Sequence, residues 1–121
     1  MVKEKRKVFK FGGASLKDAA AIRNVGKILE TYQSEPLFIV VSASGTTTNQ
    51  LEAVVEAHAQ QNGQAAVLWQ AIKARHFNLL SELIEDPTHD AFITLNDAFV
   101  EMEWVLDEEP YENYDYLYDQ M

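Results

Sequence analysis

The chain contains no cysteine, so a disulfide framework, a thiolate metal site and a cysteine nucleophile are all excluded, and the composition fits a reducing cytoplasm. No apolar run approaches the roughly 20 residues of a membrane-spanning helix. The lysine-rich start, Lys3-Glu4-Lys5-Arg6-Lys7, leads into a strand pattern and not into the apolar core of a signal peptide. The expectation is a cytoplasmic protein without a membrane partner. Basic residues also run out: none follows Arg75, thirteen acids occur from Glu82 onward, and the net charge is −9. A second half this acidic repels a nucleic-acid backbone, which excludes a general nucleic-acid partner despite the basic N-terminus. That basic cluster reads as a solvated lead-in to the first strand, and Glu108-Glu109 and Asp115 to Asp119 read as a wet helix face. Glycine is sparse, with five in 121 residues, and neither G-x-x-x-x-G-K-[ST] nor G-x-G-x-x-G occurs, so a P-loop and a dinucleotide fingerprint are absent. His58, His76 and His89 lack metal-ligand spacing. No Ser-His-Asp constellation is legible, so the chain shows no nucleophilic apparatus of its own.

What is present is concentrated in two turns, each following a short apolar β-rich run and each opening a helix: Val8-Phe9-Lys10-Phe11-Gly12-Gly13-Ala14-Ser15 and Ile39-Val40-Val41-Ser42-Ala43-Ser44-Gly45-Thr46-Thr47-Thr48-Asn49. A strand ending in Gly-Gly exposes backbone N–H groups that no Cβ shields, and a following helix N-terminus adds partial positive charge, so an anion can sit there. Lys10 adds a full positive charge. The second turn carries hydroxyls at Ser42, Thr46, Thr47 and Thr48 and the amide of Asn49, which can cap the next helix or hold a small polar ligand. Taken alone, each turn also has a plain reading, as a strand-to-helix turn or as a cap.

The chain is one domain by size, 121 residues with 47% apolar, and its pattern is α/β. A strand at about Lys7 to Phe11 precedes a helix from about Asp18 to Gln33, with Ala21, Val25, Ile28, Leu29 and Tyr32 at near-helical spacing. Pro36 breaks the chain, and Leu37 to Val41 is a fully apolar run, as expected of a parallel strand covered on both faces. Two parallel strands joined by a helix put their ligand edge at the C-terminal ends, which would bring both turns to one edge. A second helix spans about Thr48 to Gln61 and stops near Asn62-Gly63. A third runs to about Glu85 with Leu68, Ile72, His76, Leu79, Leu80, Leu83 and Ile84 on its buried side. Asp86-Pro87-Thr88 closes it and starts a fourth, in which Phe92, Leu95, Phe99, Met102 and Leu106 recur at threes and fours until Pro110. The tail Tyr111, Tyr114, Leu117, Tyr118 and Met121 keeps that spacing. Trp69, Trp104 and the tyrosines read as core or interface.

Lys10-Phe11-Gly12-Gly13-Ala14-Ser15, followed in order by Val41-Ser42-Ala43 and Thr48-Asn49, resembles the aspartate kinase family of the amino acid kinase fold, whose strands end in K-F-G-G-[ST]-S and V-S-A-x-x-x-x-T-N. Ala14 departs where Thr or Ser is usual, and Gly45 comes early. The resemblance implies a partial three-layer amino-acid-kinase (carbamate-kinase-like) fold, in which an N-terminal β-α-β with parallel strands is followed by several helices. It implies ATP-dependent phosphorylation of the β-carboxylate of aspartate, in the biosynthesis of lysine, threonine and methionine, with Mg²⁺. By the same match Lys10 is the catalytic cation that neutralises the transferring phosphoryl. Gly12, Gly13 and Ser15 join it in binding phosphate, and Ser42, Thr48 and Asn49 hold aspartate.

Family members continue into a S-x-G-E segment, a G-R-G-G-S-D loop and an adenine-binding half. The expectation is therefore that residues 1–121 are the N-terminal part of such a catalytic domain, inactive alone and binding ATP weakly or not at all. Two strands leave an apolar edge unpaired, so self-association through that edge or through the tyrosine-rich tail is expected as well. The alternatives are a non-catalytic acidic helical interaction module, a kinase for another carboxylate, and the kinase end of an enzyme fused to homoserine dehydrogenase.

Overall fold

In the computed structural model, which describes residues 6–107, the chain runs β1 (Lys7–Phe11), a 3-10 turn (Gly13–Leu16), α1 (Ala19–Thr31), β2 (Leu37–Val41), α2 (Thr47–Gln60), α3 (Ala65–Leu83) and α4 (Asp90–Asp107). This is the expected β–α–β followed by helices. Pro110 and the tyrosine tail from Tyr111 lie outside the described residues. The chain divides into two compact units between Thr46 and Thr47.

In the first unit β1 and β2 pair in parallel, in register from Lys7 opposite Leu37 to Phe11 opposite Val41. The Lys7 amide donates to the Pro36 carbonyl at one end, and the Ser42 amide donates to the Phe11 carbonyl (3.0 Å) at the other. Asp18 caps α1, its Oδ1 accepting the Ala21 amide at 2.8 Å. Tyr32, just past α1, meets Phe9 edge-on with ring centroids 4.9 Å apart, and the Lys7 ammonium lies 4.9 Å from the same ring. The odd-numbered β1 side chains thus lie toward α1, while Val8 and Lys10 lie on the other face. Ala19 and Val25 are buried, but Ile28, expected on the buried face, is exposed.

The expectation that β2 is covered on both faces is not met in this chain. Phe38, Ile39, Val40 and Val41 are 52, 48, 48 and 60% exposed. Phe38 and Val40 lie on the face away from α1, which no second layer covers among the described residues of this unit, while Ile39 and Val41, on the α1 side with Phe9 and Phe11, are only partly covered by that one helix. Val8, paired with Phe38, is 63% exposed, and the Arg6 guanidinium lies 5.2 Å from the Phe38 ring centroid.

The second unit is built on Val54, Trp69, Ile72 and Phe99, with Leu51, Leu68, Phe77, Leu95, Met102 and Leu106 packed around them. Phe99 from α4 lies against Trp69, His76 and Phe77 of α3 with centroid separations of 5.1, 5.8 and 5.9 Å. Trp69 is thus core, whereas Trp104 is 65% exposed. Beside this cluster the Glu103 carboxylate accepts from Lys73 Nζ (2.9 Å) and Trp69 Nε1 (3.1 Å), which ties α4 to α3. The Lys73 ammonium first, and the Trp69 donor second, hold the Glu103 carboxyl below its ordinary range. A carboxyl lowered in the folded state stabilises above its unfolded pKa and loses that contribution as pH falls through the folded value.

Both helix connections close locally. Asp86 Oδ1 accepts the Thr88 amide (2.9 Å) and hydroxyl (2.7 Å), and the Thr88 hydroxyl is the main reason the Asp86 carboxyl is also lowered. His89 Nδ1 accepts the Ala91 amide at 3.0 Å, so this histidine caps α4. At the end of α2 the left-handed residue is Gln61 (φ 50°), two positions before the glycine. The Gln61 amide donates to His58 and the Asn62 amide to Ala57, which is the double bond pattern of a Schellman cap. Left-handed backbone costs a residue with a Cβ roughly 1 kcal/mol that glycine does not incur. Gln61→Gly should therefore raise stability by about 1 kcal/mol, read as a higher midpoint in urea with an unchanged slope; an unchanged or lower midpoint would refute the assignment.

Candidate functional site

Because β1 and β2 are parallel and in register, Phe11 and Val41 end side by side, and the two turns leave the sheet from one edge. They are in direct backbone contact. The Gly45 amide donates to the Gly13 carbonyl at 2.9 Å, and a Cβ on Gly13 would stand 2.6 Å from the Gly45 carbonyl oxygen and 3.3 Å from that of Ala43. Gly13 is required by this approach, and Gly45 (φ 58°) by its left-handed backbone. A Cβ on Gly12 would meet nothing within 4 Å. The Ser44 hydroxyl donates to the Leu16 carbonyl, a second tie between the turns.

This edge gathers five of the residues singled out in the sequence. Lys10 stands one residue before the end of β1, exposed and opposite Val40. Among the described residues it has no ion-pair partner, in contrast to Lys7, whose Nζ lies 3.2 Å from Glu35. Gly12 and Gly13 follow it, and the Ser15 amide donates to the Gly12 carbonyl at 3.0 Å. Ser42 continues β2, its amide held by Phe11 and its side chain exposed. One expectation changes. The helix that Gly13 opens is a single 3-10 turn, and α1 begins only at Ala19, where the Asp18 carboxylate already occupies its N-terminus. Positive potential at the first turn therefore comes from Lys10 and individual amides, not from a helix macrodipole.

Thr48 and Asn49 belong to the second unit, exposed on the first turn of α2. Beside them Thr47 is buried, with its hydroxyl 3.4 Å from both His76 Nε2 and Arg75 Nη1. The sequence marked Thr47 only as one of a run of cap candidates and passed over Arg75. No periodicity reports a contact between residues 28 and 29 positions apart. Among the described residues no group of three or more His, Asp or Glu side chains could hold a metal ion, and no helix is long and apolar enough to cross a membrane.

The profile of the amino acid kinase family matches residues 5–105. The chain belongs to the amino acid kinase family. This amino acid kinase chain is similar to the bifunctional aspartokinase/homoserine dehydrogenase 2 of Escherichia coli (strain K12), with 33% identity over 95 residues, covering 78% of the chain and 11% of that protein. It is similar also to the aspartokinase of Chlamydia trachomatis serovar D, with 32% identity over 102 residues, 84% of the chain and 22% of that protein. The chain therefore spans only about a tenth to a fifth of the length of these relatives. The crystal structure of Clostridium acetobutylicum aspartate kinase shares its fold, with a TM-score of 0.65 and 24% identity over 93% of this chain and 25% of that one.

The contact at Gly13 makes a sharp contrast with its neighbour. Gly13→Ala must push the two turns apart and should destabilise the chain by about 1–3 kcal/mol, whereas Gly12→Ala should change stability by no more than a few tenths of a kcal/mol. Urea unfolding of both variants checks this; equal effects would contradict the packing of the turns.

Proposed function

We propose that this amino acid kinase chain is the N-terminal part of the catalytic domain of an aspartate kinase, an enzyme that transfers the γ-phosphoryl of ATP to the β-carboxylate of aspartate in lysine, threonine and methionine biosynthesis. The observation that carries the reading is the joined pair of turns at one sheet edge with Lys10 beside them, in a chain about one-third identical to two aspartokinases. Such a transfer needs no side-chain nucleophile: a carboxylate oxygen attacks the γ-phosphorus, the bond to the β,γ-bridging oxygen breaks, and ADP leaves with that electron pair. The protein positions both groups and neutralises charge.

In this reading Lys10 offsets the charge on the transferring phosphoryl, the Gly12 and Gly13 backbone approaches the phosphates, and Ser15 closes that turn. Ser42, Thr48 and Asn49 hold aspartate through hydroxyl and amide groups. The Mg²⁺ used by such kinases has no fitting ligand set among the described residues. A cytoplasmic location belongs to the proposal, since ATP and aspartate are supplied there, and at net charge −9 no nucleic-acid partner is proposed.

The test is a titration of the ¹⁵N-labelled chain. Aspartate should shift the amides of Ser42, Thr48 and Asn49 more than glutamate does, ATP should act weakly and at Gly12 and Gly13, and the chain alone should release no ADP from ATP and aspartate. Aspartate shifts confined to other residues would overturn the site; turnover by the chain alone would overturn the view that it is one part of a catalytic domain.

The open sheet face adds self-association to the proposal, because Val8, Phe38 and Val40 leave apolar surface in water. Sedimentation over a concentration series should show a reversible dimer that Val8→Lys weakens. A monomer throughout would remove this part.

A further inference from the structure

Thr47 is the first residue of α2 and, at 5% exposure, the buried polar residue of the described chain. A buried hydroxyl needs partners, and two come from α3: Arg75 Nη1 donates to Thr47 Oγ1 at 3.4 Å, and His76 Nε2 lies 3.4 Å from the same oxygen. The direction of the second bond follows from the other side of the ring. His76 Nδ1 is 2.8 Å from the Ile72 carbonyl oxygen. A carbonyl only accepts, so Nδ1 carries the proton, and in the neutral ring Nε2 is an acceptor. Thr47 thus receives a hydrogen bond from Arg75 and passes its own proton toward His76, which in turn donates to the α3 backbone. The imidazole is itself held by the core, since Phe99 meets it edge-on at 5.8 Å and Ile72 is fully buried.

The first turn of a helix lacks intrahelical partners for its first four amides and is where a helix frays. In α2 that turn carries Thr48 and Asn49. We infer that Arg75 and His76 are positioning residues, which through the Thr47 hydroxyl hold the first turn of α2 in place and so pre-order Thr48 and Asn49 for their ligand. The ligand part rests on the proposed aspartate site. Ordering before binding removes an entropic cost that the ligand would otherwise meet, so loss of the tether weakens affinity without removing any group that touches ligand.

Two measurements on the whole chain decide the tether. Long-range ¹H–¹⁵N correlation of the His76 ring should show a protonated Nδ1 and an unprotonated Nε2; an Nε2-protonated neutral ring overturns the inference. Amide hydrogen exchange at Leu51, the first residue able to donate to the Thr47 carbonyl, should accelerate about fivefold or more in Thr47→Val, which keeps the shape but not the hydroxyl, and should return to the original rate in Thr47→Ser. Equal Leu51 exchange in all three, or acceleration matched by every core amide, overturns it too. A third readout joins tether to ligand: the aspartate concentration that half-shifts Asn49 should rise about fivefold in Thr47→Val and recover in Thr47→Ser, while the response of Gly12 to ATP is unchanged. If aspartate leaves Asn49 unshifted in the unaltered chain, the aspartate reading fails at these residues, and the ring tautomer and Leu51 exchange still decide the tether.

Discussion

The approach of two backbones at Gly13 and Gly45 is the constraint on which the candidate site depends. It is possible only because β1 and β2 run parallel and in register, so that both chains leave the sheet at the same height. Where a carbonyl oxygen stands 2.6 Å from the place a Cβ would take, no side chain can be accommodated without moving backbone. The contact makes one rigid surface of two turns that are 30 or so residues apart in the chain. Lys10, lacking an ion-pair partner among the described residues, adds its charge to that surface. For a reaction that runs on positioning and charge neutralisation, rigidity and an available cation are the relevant properties.

The helical unit achieves its order differently. Its core is a small aromatic cluster centred on Phe99, where rings from α3 and α4 meet at tilted or edge-on angles that suit their quadrupoles. Polar ties surround it: Glu103 between Lys73 and Trp69, and Thr47 between Arg75 and His76. Each tie joins helices through directional bonds, which fix register and rotation in a way that apolar contact alone does not. His76 serves both purposes, with a ring in contact with the core and its two nitrogens beside the Ile72 carbonyl and the Thr47 hydroxyl.

The apolar sheet is where composition and structure pull apart. A five-residue apolar strand is the pattern of a buried parallel strand, yet most of β2 is about half exposed. Periodicity reports the environment a strand is suited to; whether that environment is present depends on what packs against it.

Much of the architecture was legible because it is local. Pro36 and Asp86-Pro87 break the chain, apolar residues recur at threes and fours in α1, α3 and α4, and Gly12-Gly13 and Ser42 follow β-rich runs, all within short windows of sequence. The family could be read from two short motifs for the same reason. Only the tertiary structure decided the rest. It showed that Gly13, and not Gly12, is sterically required, that the turn Gly13 opens is a single 3-10 turn, that the left-handed cap falls on Gln61, and that Thr47 meets Arg75 and His76. These depend on atoms from segments distant in the chain or on backbone torsions that residue type merely biases, and the spacing of residues along a sequence carries no record of either.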